Sequence, residues 1–246
     1  KHRIPCDAIY LDIDYMDGFR CFTWDKNHFP DPKRMISELE EDGFKTVVMI
    51  DPGIKVDRDY WIYNEALEND YFCKRGDGPL MHGKVWPGEC NFPDFTNPAV
   101  REWWAELYKE FMSDLGVHAV WNDMNEPAVM EVPTKPAPLD TRHNYDGHPC
   151  THRKAHNVYG MQMVRATYEG VKKYVYPKRP FVITRAAFAG TQRYSSTWTG
   201  DNVATWEHLW IANVQVQRMC LSGYSFVGSD IGGFAEQPDG ELFARW

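Results

Sequence analysis

The sequence lacks the marks of several large protein classes. Its six cysteines are scattered through 246 residues without a C-x-x-C pair, unlike a disulfide scaffold or a zinc ribbon, so we expect reduced thiols packed as small apolar groups. No stretch approaches 18 uninterrupted apolar residues, so we expect no membrane-spanning helix. The N-terminal residues show no targeting pattern, and the sequence leaves the cellular compartment open.

Positive charge is also scarce. There are 27 lysines and arginines against 35 aspartates and glutamates, which gives a net charge of −8. An acidic surface repels phosphate backbones and anionic lipids, so we expect neither nucleic acid nor a membrane as a partner. Aromatic residues are abundant at 15%, and the 43% hydrophobic share is typical of a globular chain.

Short apolar runs alternate with longer helical patterns along the chain. Strands are predicted at residues 8–13, 44–50, 117–121, 181–184, 195–199 and 224–227. Most of these runs are continuous, which is typical of strands buried on both faces of a parallel sheet. Helices are predicted after Asp31-Pro32 and Asn97-Pro98, and at residues 158–175 and 205–221. This alternation predicts an α/β fold with a parallel sheet, either doubly wound or a barrel.

Two long stretches interrupt the alternation. Residues 51–98 are rich in Gly, Pro, Asp, Tyr and Trp, and we expect an inserted excursion over the working face of the sheet. Residues 132–156 form a second long loop that contains His143, His148, His152 and His156. The last three could line one helix face as metal ligands, but the nearby glycine and prolines disfavour a helix. We therefore expect histidines of a solvated loop or a substrate rim.

Acidic residues follow the ends of most predicted strands. These strand-end residues are Asp12, Asp14, Asp17, Asp51, Asp123, Glu126, Asp201 and Asp230, with Arg185 after the fourth strand. Because parallel strands end on one face of an α/β fold, they should gather around one cavity, together with Trp86, Trp121 and Trp198. An aspartate can also simply end a strand and cap the next helix, but that accounts for one or two positions and not for the set.

Carbohydrate chemistry uses this combination of groups. Carboxylates and guanidinium groups hydrogen-bond sugar hydroxyls, and indole rings pack on the apolar faces of a pyranose. Glycosidic cleavage needs two carboxyl groups on opposite sides of the bond. One must be ionised, aided by a neighbouring cation, while the other is protonated.

Six motifs resemble those of glycoside hydrolase family 31, the α-glucosidase family. They are WNDMNEP at 121–127, DIDYMD at 12–17, GKVWPG at 83–88, ITR at 183–185, WTGDN at 198–202 and SDIGGF at 229–234. They occur in the family's order and span nearly the whole chain, so the resemblance is far more specific than a single short motif.

The resemblance implies a role for each matching residue. Asp123 matches the catalytic nucleophile and Asp201 the general acid/base of a retaining enzyme, whose carboxyl groups lie about 5–5.5 Å apart. Asp12 and Arg185, and more weakly Asp230, match groups that hold the hydroxyls of the first sugar. The matching wall residues are Ile13, Trp86, Trp121, Met124, Trp198 and Phe234. No cofactor and no metal is implied, because both catalytic groups are side chains.

The resemblance also implies a longer protein. Family members have one more strand before residue 8, a last strand after residue 246 and flanking β domains. We therefore expect the central part of one (β/α)8 catalytic domain, an incomplete TIM barrel missing its first and last strands. Its partner would be the rest of the full-length chain, and the isolated 246 residues would be unstable and nearly inactive.

The function implied is hydrolysis of terminal non-reducing α-linked glucose from an oligosaccharide or α-glucoside. Alternatives within the family are α-xylosidase, transglucosidase and α-glucan lyase. A non-catalytic carbohydrate-binding pseudoenzyme and a sugar-phosphate barrel enzyme are more distant alternatives. Trp103 and Trp104 follow a helix stripe and are predicted as core residues. Glu126, beside Asp123, is predicted to be a structural partner of the strand-end loop.

Overall fold

A computed structural model describes residues 4–131 and 136–246. Its elements in chain order are β1 (Ala8–Leu11), α1 (Pro32–Glu41), β2 (Lys45–Ile50), β3 (Ile54–Lys55), α2 (Trp61–Glu68), β4 (His82–Val85), β5 (Gly88–Asn91), α3 (Pro98–Lys109), β6 (Ala119–Asn122), β7 (Arg142–His143), β8 (Cys150–Thr151), α4 (His152–Val175), β9 (Val182–Thr184), β10 (Ser196–Trp198), α5 (Trp206–Leu221), β11 (Val227–Gly228) and α6 (Gly240–Arg245). Three short 3₁₀ turns and a π-helical turn at Glu110–Asp114, which extends α3, complete the set.

The main sheet is parallel and follows chain order. Its six strands lie in the order β1-β2-β6-β9-β10-β11. Within the described ranges β1 pairs only with β2 and β11 only with β10, so the sheet curves without closing. Six parallel strands with helices between them form an open part of an eight-stranded α/β barrel, as the motif order implied.

Each predicted strand and helix overlaps an element of the structure, but β11 shares only Val227 with the strand predicted at 224–227 and α4 begins before residue 158. Asp31 caps α1 by accepting a hydrogen bond from the backbone N–H of Arg34 at 3.0 Å. Asn97 caps α3 in the same way, by accepting from the backbone N–H of Ala99 at 3.1 Å. Thr205 caps α5 from the backbone N–H of His208 at 3.2 Å. These polar side chains satisfy helix-end donors that lack a partner within the helix, so the starts could be predicted from sequence.

Helices α3 and α4 pack against each other on the outside of β6. Gly170 of α4 lies against the backbone of Ala105, so a Cβ at Gly170 would meet the Ala105 carbonyl oxygen at 2.5 Å. Trp104 is fully buried and its ring meets that of Phe22 edge to face, with centroids 5.1 Å apart. Trp103 is 9% exposed. The prediction that both indoles are core residues is confirmed.

The excursion at 51–98 is folded. It contains α2 and an antiparallel sheet in the order β3-β5-β4, and the β4–β5 hairpin carries Trp86 at its turn. The hairpin is joined to the loop after β6, because the backbone N–H of Met130 donates to the carbonyl of Lys84 at 2.9 Å. Residues 132–135 of the second long loop lie outside the described part of the chain.

The expectation of loop or rim histidines was wrong for three of the four, because His143 lies in β7 and both His152 and His156 lie in α4. Helix α4 begins at His152 and not at residue 158, because the glycine and proline that suggested a loop lie before its first turn. His143 and His152 are buried, at 3% and 0% exposure, and share a 2.9 Å hydrogen bond between Nε2 and Nδ1. Burial lowers the pKa of His152 to about 3, which keeps it neutral. His148 is exposed, as expected of a loop residue.

Across the described ranges, none of the helices combines the length and the apolar character needed to cross a bilayer.

Candidate active site

A cavity of about 970 Å³ opens at the carboxyl ends of the parallel strands. All eleven residues predicted for the site line it: Asp12, Ile13, Trp86, Trp121, Asp123, Met124, Arg185, Trp198, Asp201, Asp230 and Phe234. Of the acidic residues expected there from their strand-end positions, Asp17, Asp51 and Glu126 are not among the lining residues, and Trp86 reaches the cavity from a hairpin. The cavity also reaches the amino ends of β9 and β11, where Phe181 and Phe226 line it.

Asp123 follows the last residue of β6 and is held through one carboxyl oxygen. Its Oδ1 accepts a hydrogen bond from the backbone N–H of Met124 at 2.8 Å and lies 3.2 Å from Nη1 of Arg185. Within the described residues Oδ2 has neither a hydrogen-bond nor an ion-pair partner. Met124 has a left-handed φ of 54°, a conformation that costs energy for a residue with a side chain and that recurs at functional sites.

Arg185 follows β9 and binds three acidic groups. Its Nε and Nη2 each donate to a different carboxyl oxygen of Glu126 at 3.0 Å, a bidentate pair. Its Nη1 faces Asp123 at 3.2 Å and Asp201 at 3.9 Å. Burial by itself would lower the pKa of Arg185, but Glu126 and the two aspartates raise it above the ordinary value. Arg185 is therefore a permanent cation between the two candidate catalytic carboxyls.

The charge state of Asp123 follows from two opposing effects. Burial raises the pKa of Asp123 to about 6, and the neighbouring Arg185 guanidinium and the Met124 N–H limit that rise. With a pKa of about 6, the carboxyl is mostly ionised at neutral pH. An ionised carboxylate with one unpartnered oxygen is suited to act as a nucleophile.

Asp201 approaches from the loop after β10. Gly200, just before it, has a φ of +80°, which glycine adopts without strain. The next residue, Asn202, accepts from the backbone N–H of Phe234 through its side-chain Oδ1 at 3.0 Å and donates to the carbonyl of Asp230 at 3.3 Å. The Asp201 side chain is 54% exposed toward the cavity mouth. Asn202 thus fixes the Asp201 loop to the loop that carries Asp230 and Phe234.

Asp230 lies close to Asp201 in this arrangement. Burial, and then the negative charge of Asp201, raise the pKa of Asp230. Asp12, on the opposite side of the cavity, caps the turn after β1 by accepting from the backbone N–H of Ile13 at 2.7 Å. The cavity is therefore lined by carboxyl groups on both sides of Arg185.

Indole rings form part of the cavity wall. Trp121 of β6 and Trp198 of β10 meet edge to face with ring centroids 5.6 Å apart. Trp86 reaches the cavity from the β4–β5 hairpin and is 47% exposed, and Phe234 on the far side is 61% exposed. Two aromatic rings at the mouth and two deeper ones provide apolar surface for a pyranose ring.

Three residues that do not line the cavity lie beside the site, and of these only Asn125 was not singled out in the sequence. Asn125 is fully buried and links the β6 and β9 loops, since its Nδ2 donates to Thr184 Oγ1 at 2.9 Å and its Oδ1 accepts from the backbone N–H of Ala186 at 3.1 Å. Glu126 binds Arg185, as expected of a structural partner. Asp51, at the end of β2, is buried behind the wall. Position at a strand end was the only sequence signal for Asp51.

One cluster has the composition of a metal site but lies among residues that do not line the cavity. Cys73, Asp94 and His143 bring their ligand atoms within 4.8 Å of one another. The Asp94 carboxyl already accepts hydrogen bonds from His143 Nδ1 at 2.9 Å, from Thr96 Oγ1 at 2.7 Å and from the Asn144 N–H at 2.6 Å. These bonds explain the cluster as a buried polar network.

A parallel α/β barrel sheet with a carboxylate-lined and indole-lined cavity at its strand ends defines a carbohydrate-processing barrel protein. The sequence profile described as "Glycosyl hydrolases family 31 TIM-barrel domain" matches residues 1–246. The chain belongs to glycosyl hydrolase family 31.

Relatives and solved structures agree with this assignment. Alpha-glucosidase 2 of Bacillus thermoamyloliquefaciens is 51% identical over 243 residues, which cover 99% of this chain and 31% of that protein. Neutral alpha-glucosidase C of Homo sapiens is 43% identical over 249 residues, covering 100% of this chain and 27% of that protein. The crystal structure of the glucosidase II alpha subunit in an alpha3-Glc2-bound form superposes with a TM-score of 0.91 at 41% identity, covering 98% of this chain and 26% of that one. The chain thus spans about a third or less of these proteins.

Proposed function

We propose that the protein containing this chain is a retaining, exo-acting α-glucosidase that hydrolyses terminal non-reducing α-linked glucose. The observation that carries the proposal is the pair of carboxyls, Asp123 and Asp201, on the same guanidinium nitrogen of Arg185, at 3.2 and 3.9 Å. The names of the relatives, which are α-glucosidases, support glucose as the sugar.

The first step forms a covalent intermediate. The unpartnered Oδ2 of Asp123 attacks the anomeric carbon and the bond from that carbon to the glycosidic oxygen breaks. Asp201 gives its proton to the departing oxygen, so the aglycone leaves as an alcohol. Arg185 keeps Asp123 ionised beforehand because its positive charge favours the carboxylate.

The second step reverses these roles. Asp201, now ionised, removes a proton from a water molecule, and the resulting oxygen attacks the anomeric carbon. The ester bond to Asp123 breaks, the carboxylate is restored and glucose leaves with its original α configuration. Both steps pass through positive charge on the sugar, which the carboxyl groups lining the cavity stabilise.

Recognition of the sugar is assigned to the residues around these two carboxyls. Asp12 and Arg185 hold hydroxyl groups, and Asp230 adds a further acceptor near Asp201. The indoles of Trp121 and Trp198, with Ile13 and Met124, surround the ring of the first sugar. Trp86 and Phe234, at the mouth, contact the group being released.

A trapping experiment tests the assignment of the nucleophile. The whole natural protein is incubated with a 2-deoxy-2-fluoro-α-glucosyl donor, digested with a protease and analysed by mass spectrometry. We expect the label on Asp123, loss of labelling in Asp123→Ala, and unchanged labelling in the exposed control Asp59→Asn. A label on another residue would overturn the role of Asp123.

A substrate panel tests the specificity. We expect turnover of nitrophenyl α-glucoside to exceed that of the α-xyloside, with glucose as the product. Preference for the xyloside would indicate an α-xylosidase, transfer to a second sugar a transglucosidase, and an anhydro sugar product a lyase. Tight sugar binding without any turnover would indicate the pseudoenzyme.

A further inference from the structure

Asp51 is a buried carboxyl group that forms no ion pair within residues 4–131 and 136–246. The residue is 4% exposed, and its Oδ1 is inaccessible to solvent and has no hydrogen-bond donor in the described part of the chain. Its backbone carbonyl accepts from the thiol of Cys21 at 3.2 Å. An ionised carboxylate in such a place would be strongly destabilising, whereas a protonated one is uncharged.

The strand register places Asp51 next to Asp123. Strands β2 and β6 are parallel, with Met49 opposite Trp121 and Ile50 opposite Asn122. Continuing this register by one residue beyond the two strands puts Asp51 beside Asp123, and the charge of Asp123 acts on Asp51. Residues at matching positions of neighbouring strands point to the same face of a sheet, so both carboxyls belong to the cavity side. Asp51 is absent from the cavity lining and lies behind it.

The groups around Asp51 favour its protonated form. The acidic groups that act on it are Asp123 from β6, Asp12 from β1 and Glu126, and Arg185 from β9 is the cation that opposes them. Thiols of Cys21 and Cys90 and the hydroxyls of Tyr15 and Tyr60 surround this region, and burial raises the pKa of all four. Burial first, and Asp123 second, raise the pKa of Asp51 well above its usual range.

The two carboxyls therefore differ in what supports a negative charge. Asp123 has the Met124 N–H and the Arg185 guanidinium on its Oδ1, while Asp51 has neither a donor nor an ion pair among the described residues. Two neighbouring buried carboxyls do not readily ionise together, and a proton goes to the one with less support. That one is Asp51.

We propose that Asp51 is a positioning residue that remains a neutral carboxylic acid behind Asp123 and donates a hydrogen bond to the Asp123 carboxylate. This inference rests on the proposed function, in which Asp123 is the nucleophile. The pair then carries a single negative charge, on Asp123, and Asp51 supplies one additional hydrogen-bond donor to it. The hydrogen bond favours the ionised form of Asp123 and restrains its rotation.

Two substitutions in the whole natural protein separate charge from hydrogen bonding. In Asp51→Asn the side chain is neutral and keeps a donor, so the acidic limb of kcat/KM against pH should stay within about 0.3 pH unit of wild type. In Asp51→Leu, of similar volume, the donor is lost and the limb should move up by about 0.5–1 pH unit. Asp59→Asn, at an exposed position, is the control and should leave the limb in place.

Each result bears on the proposal. A downward shift of the limb in Asp51→Asn would mean that Asp51 is ionised in the wild type, which overturns the proposal. Equal limbs in Asp51→Asn and Asp51→Leu would mean that no donor is needed and would overturn it too. If Asp51→Leu fails to fold, the Asp51→Asn profile decides the charge alone.

A measurement without substrate keeps this inference separate from the proposed function. If Asp51 is neutral when folded, the folded protein holds a proton that the unfolded chain releases above a pKa of 3.8. The contribution of the protonated Asp51 to the free energy of unfolding is therefore fully present below pH 3.8. It is lost as the pH rises toward the pKa of Asp51 in the folded protein. The melting temperature of Asp51→Asn minus that of wild type should therefore grow between about pH 4 and pH 7. A constant difference would overturn the proposal even if α-glucosides are not turned over.

Discussion

At the scale of single residues, Arg185 is where the charges of the site meet. Its guanidinium uses all three nitrogens, two for Glu126 and one between Asp123 and Asp201. Glu126 fixes the plane of the guanidinium, and that plane aims Nη1 at the two aspartates. Arginine can satisfy this geometry because its donors form a rigid planar fork.

Replacement of Arg185 by lysine tests this arrangement. A single ammonium cannot hold Glu126 at two points and also reach Asp123, so the pKa of Asp123 should rise above about 6. At a given pH below the new pKa, less of Asp123 is ionised, and the acidic limb of kcat/KM moves to higher pH. We expect a loss of at least about tenfold near pH 6 and a smaller loss near pH 8.

The matched control for this prediction is Arg165→Lys. Arg165 pairs with Glu169 along the exposed face of α4 at 2.9 Å, so its replacement should leave the pH profile unchanged. The full pH profiles of both variants and of wild type give the comparison. An acidic limb that stays in place in Arg185→Lys would contradict the role of the guanidinium.

The sequence allowed us to predict which residues belong to the site, but not most of the contacts between them. Strand ends of a parallel sheet share one face, so several carboxyls and Arg185 could be expected around one cavity, whereas Ile13, Met124 and Phe234 were expected from the resemblance to the family. The link from Asn125 to Thr184, however, depends on how two loops pack, and no local pattern encodes it. For the same reason Asp51 could be placed at a strand end but not recognised as unpartnered.

At the scale of elements, the contact between α3 and α4 depends on a missing side chain. Because Gly170 has no side chain, α4 can approach the backbone of Ala105 in α3 closely. A Cβ at residue 170 would collide with that backbone, which cannot move aside as a flexible side chain can. We expect Gly170→Ala to destabilise the protein by about 1–3 kcal/mol, because overpacking outweighs the helix propensity gained. Denaturant unfolding of the whole natural protein measures this.

A second glycine serves as the control. Gly240 begins α6 and a Cβ there would meet nothing within 4 Å, so Gly240→Ala should change stability by less than about 1 kcal/mol. Equal changes in the free energy of unfolding for the two substitutions would mean that the close approach of α3 and α4 does not require glycine at residue 170.

Predictions of elements succeeded where local signals decide. Proline and cap residues at the starts of α1 and α3 act within one turn, so they could be identified from sequence alone. The start of α4 at His152 was missed because no side chain caps it and tertiary packing buries its first residue. Burial of His143 against Asp94 joins positions 49 residues apart, which a histidine spacing cannot indicate.

At the scale of the whole molecule, the open sheet leaves apolar surface uncovered. Leu221 at the end of α5 is 89% exposed, and Phe226 and Ile231 beside β11 are 67% and 69% exposed. Strands β1 and β11 each have one edge that pairs with no other strand in the described part of the chain. Large exposed apolar side chains beside an unpaired edge mark a surface that folded proteins normally cover.

We predict that residues 1–246 produced alone will be marginally stable. A barrel that does not close leaves its interior open to water, so much of the burial that would stabilise the sheet is lost. We expect a broad thermal transition, strong binding of a hydrophobic dye and little α-glucosidase activity beside the whole natural protein. A cooperative melt together with full activity of residues 1–246 would contradict this prediction.

The spacing of the strands sets the working distance of the candidate catalytic pair. Asp123 follows β6 and Asp201 follows β10, with β9 and its arginine between them. Neighbouring strands lie about 4.8 Å apart, so the two backbones are held roughly 10 Å from each other by hydrogen bonds. Two short side chains that reach inward from that frame bring both carboxyls within 3.9 Å of Arg185 Nη1. The hydrogen-bonded backbone therefore sets the distance between the two aspartates, and β9 between them carries the arginine that pairs with both.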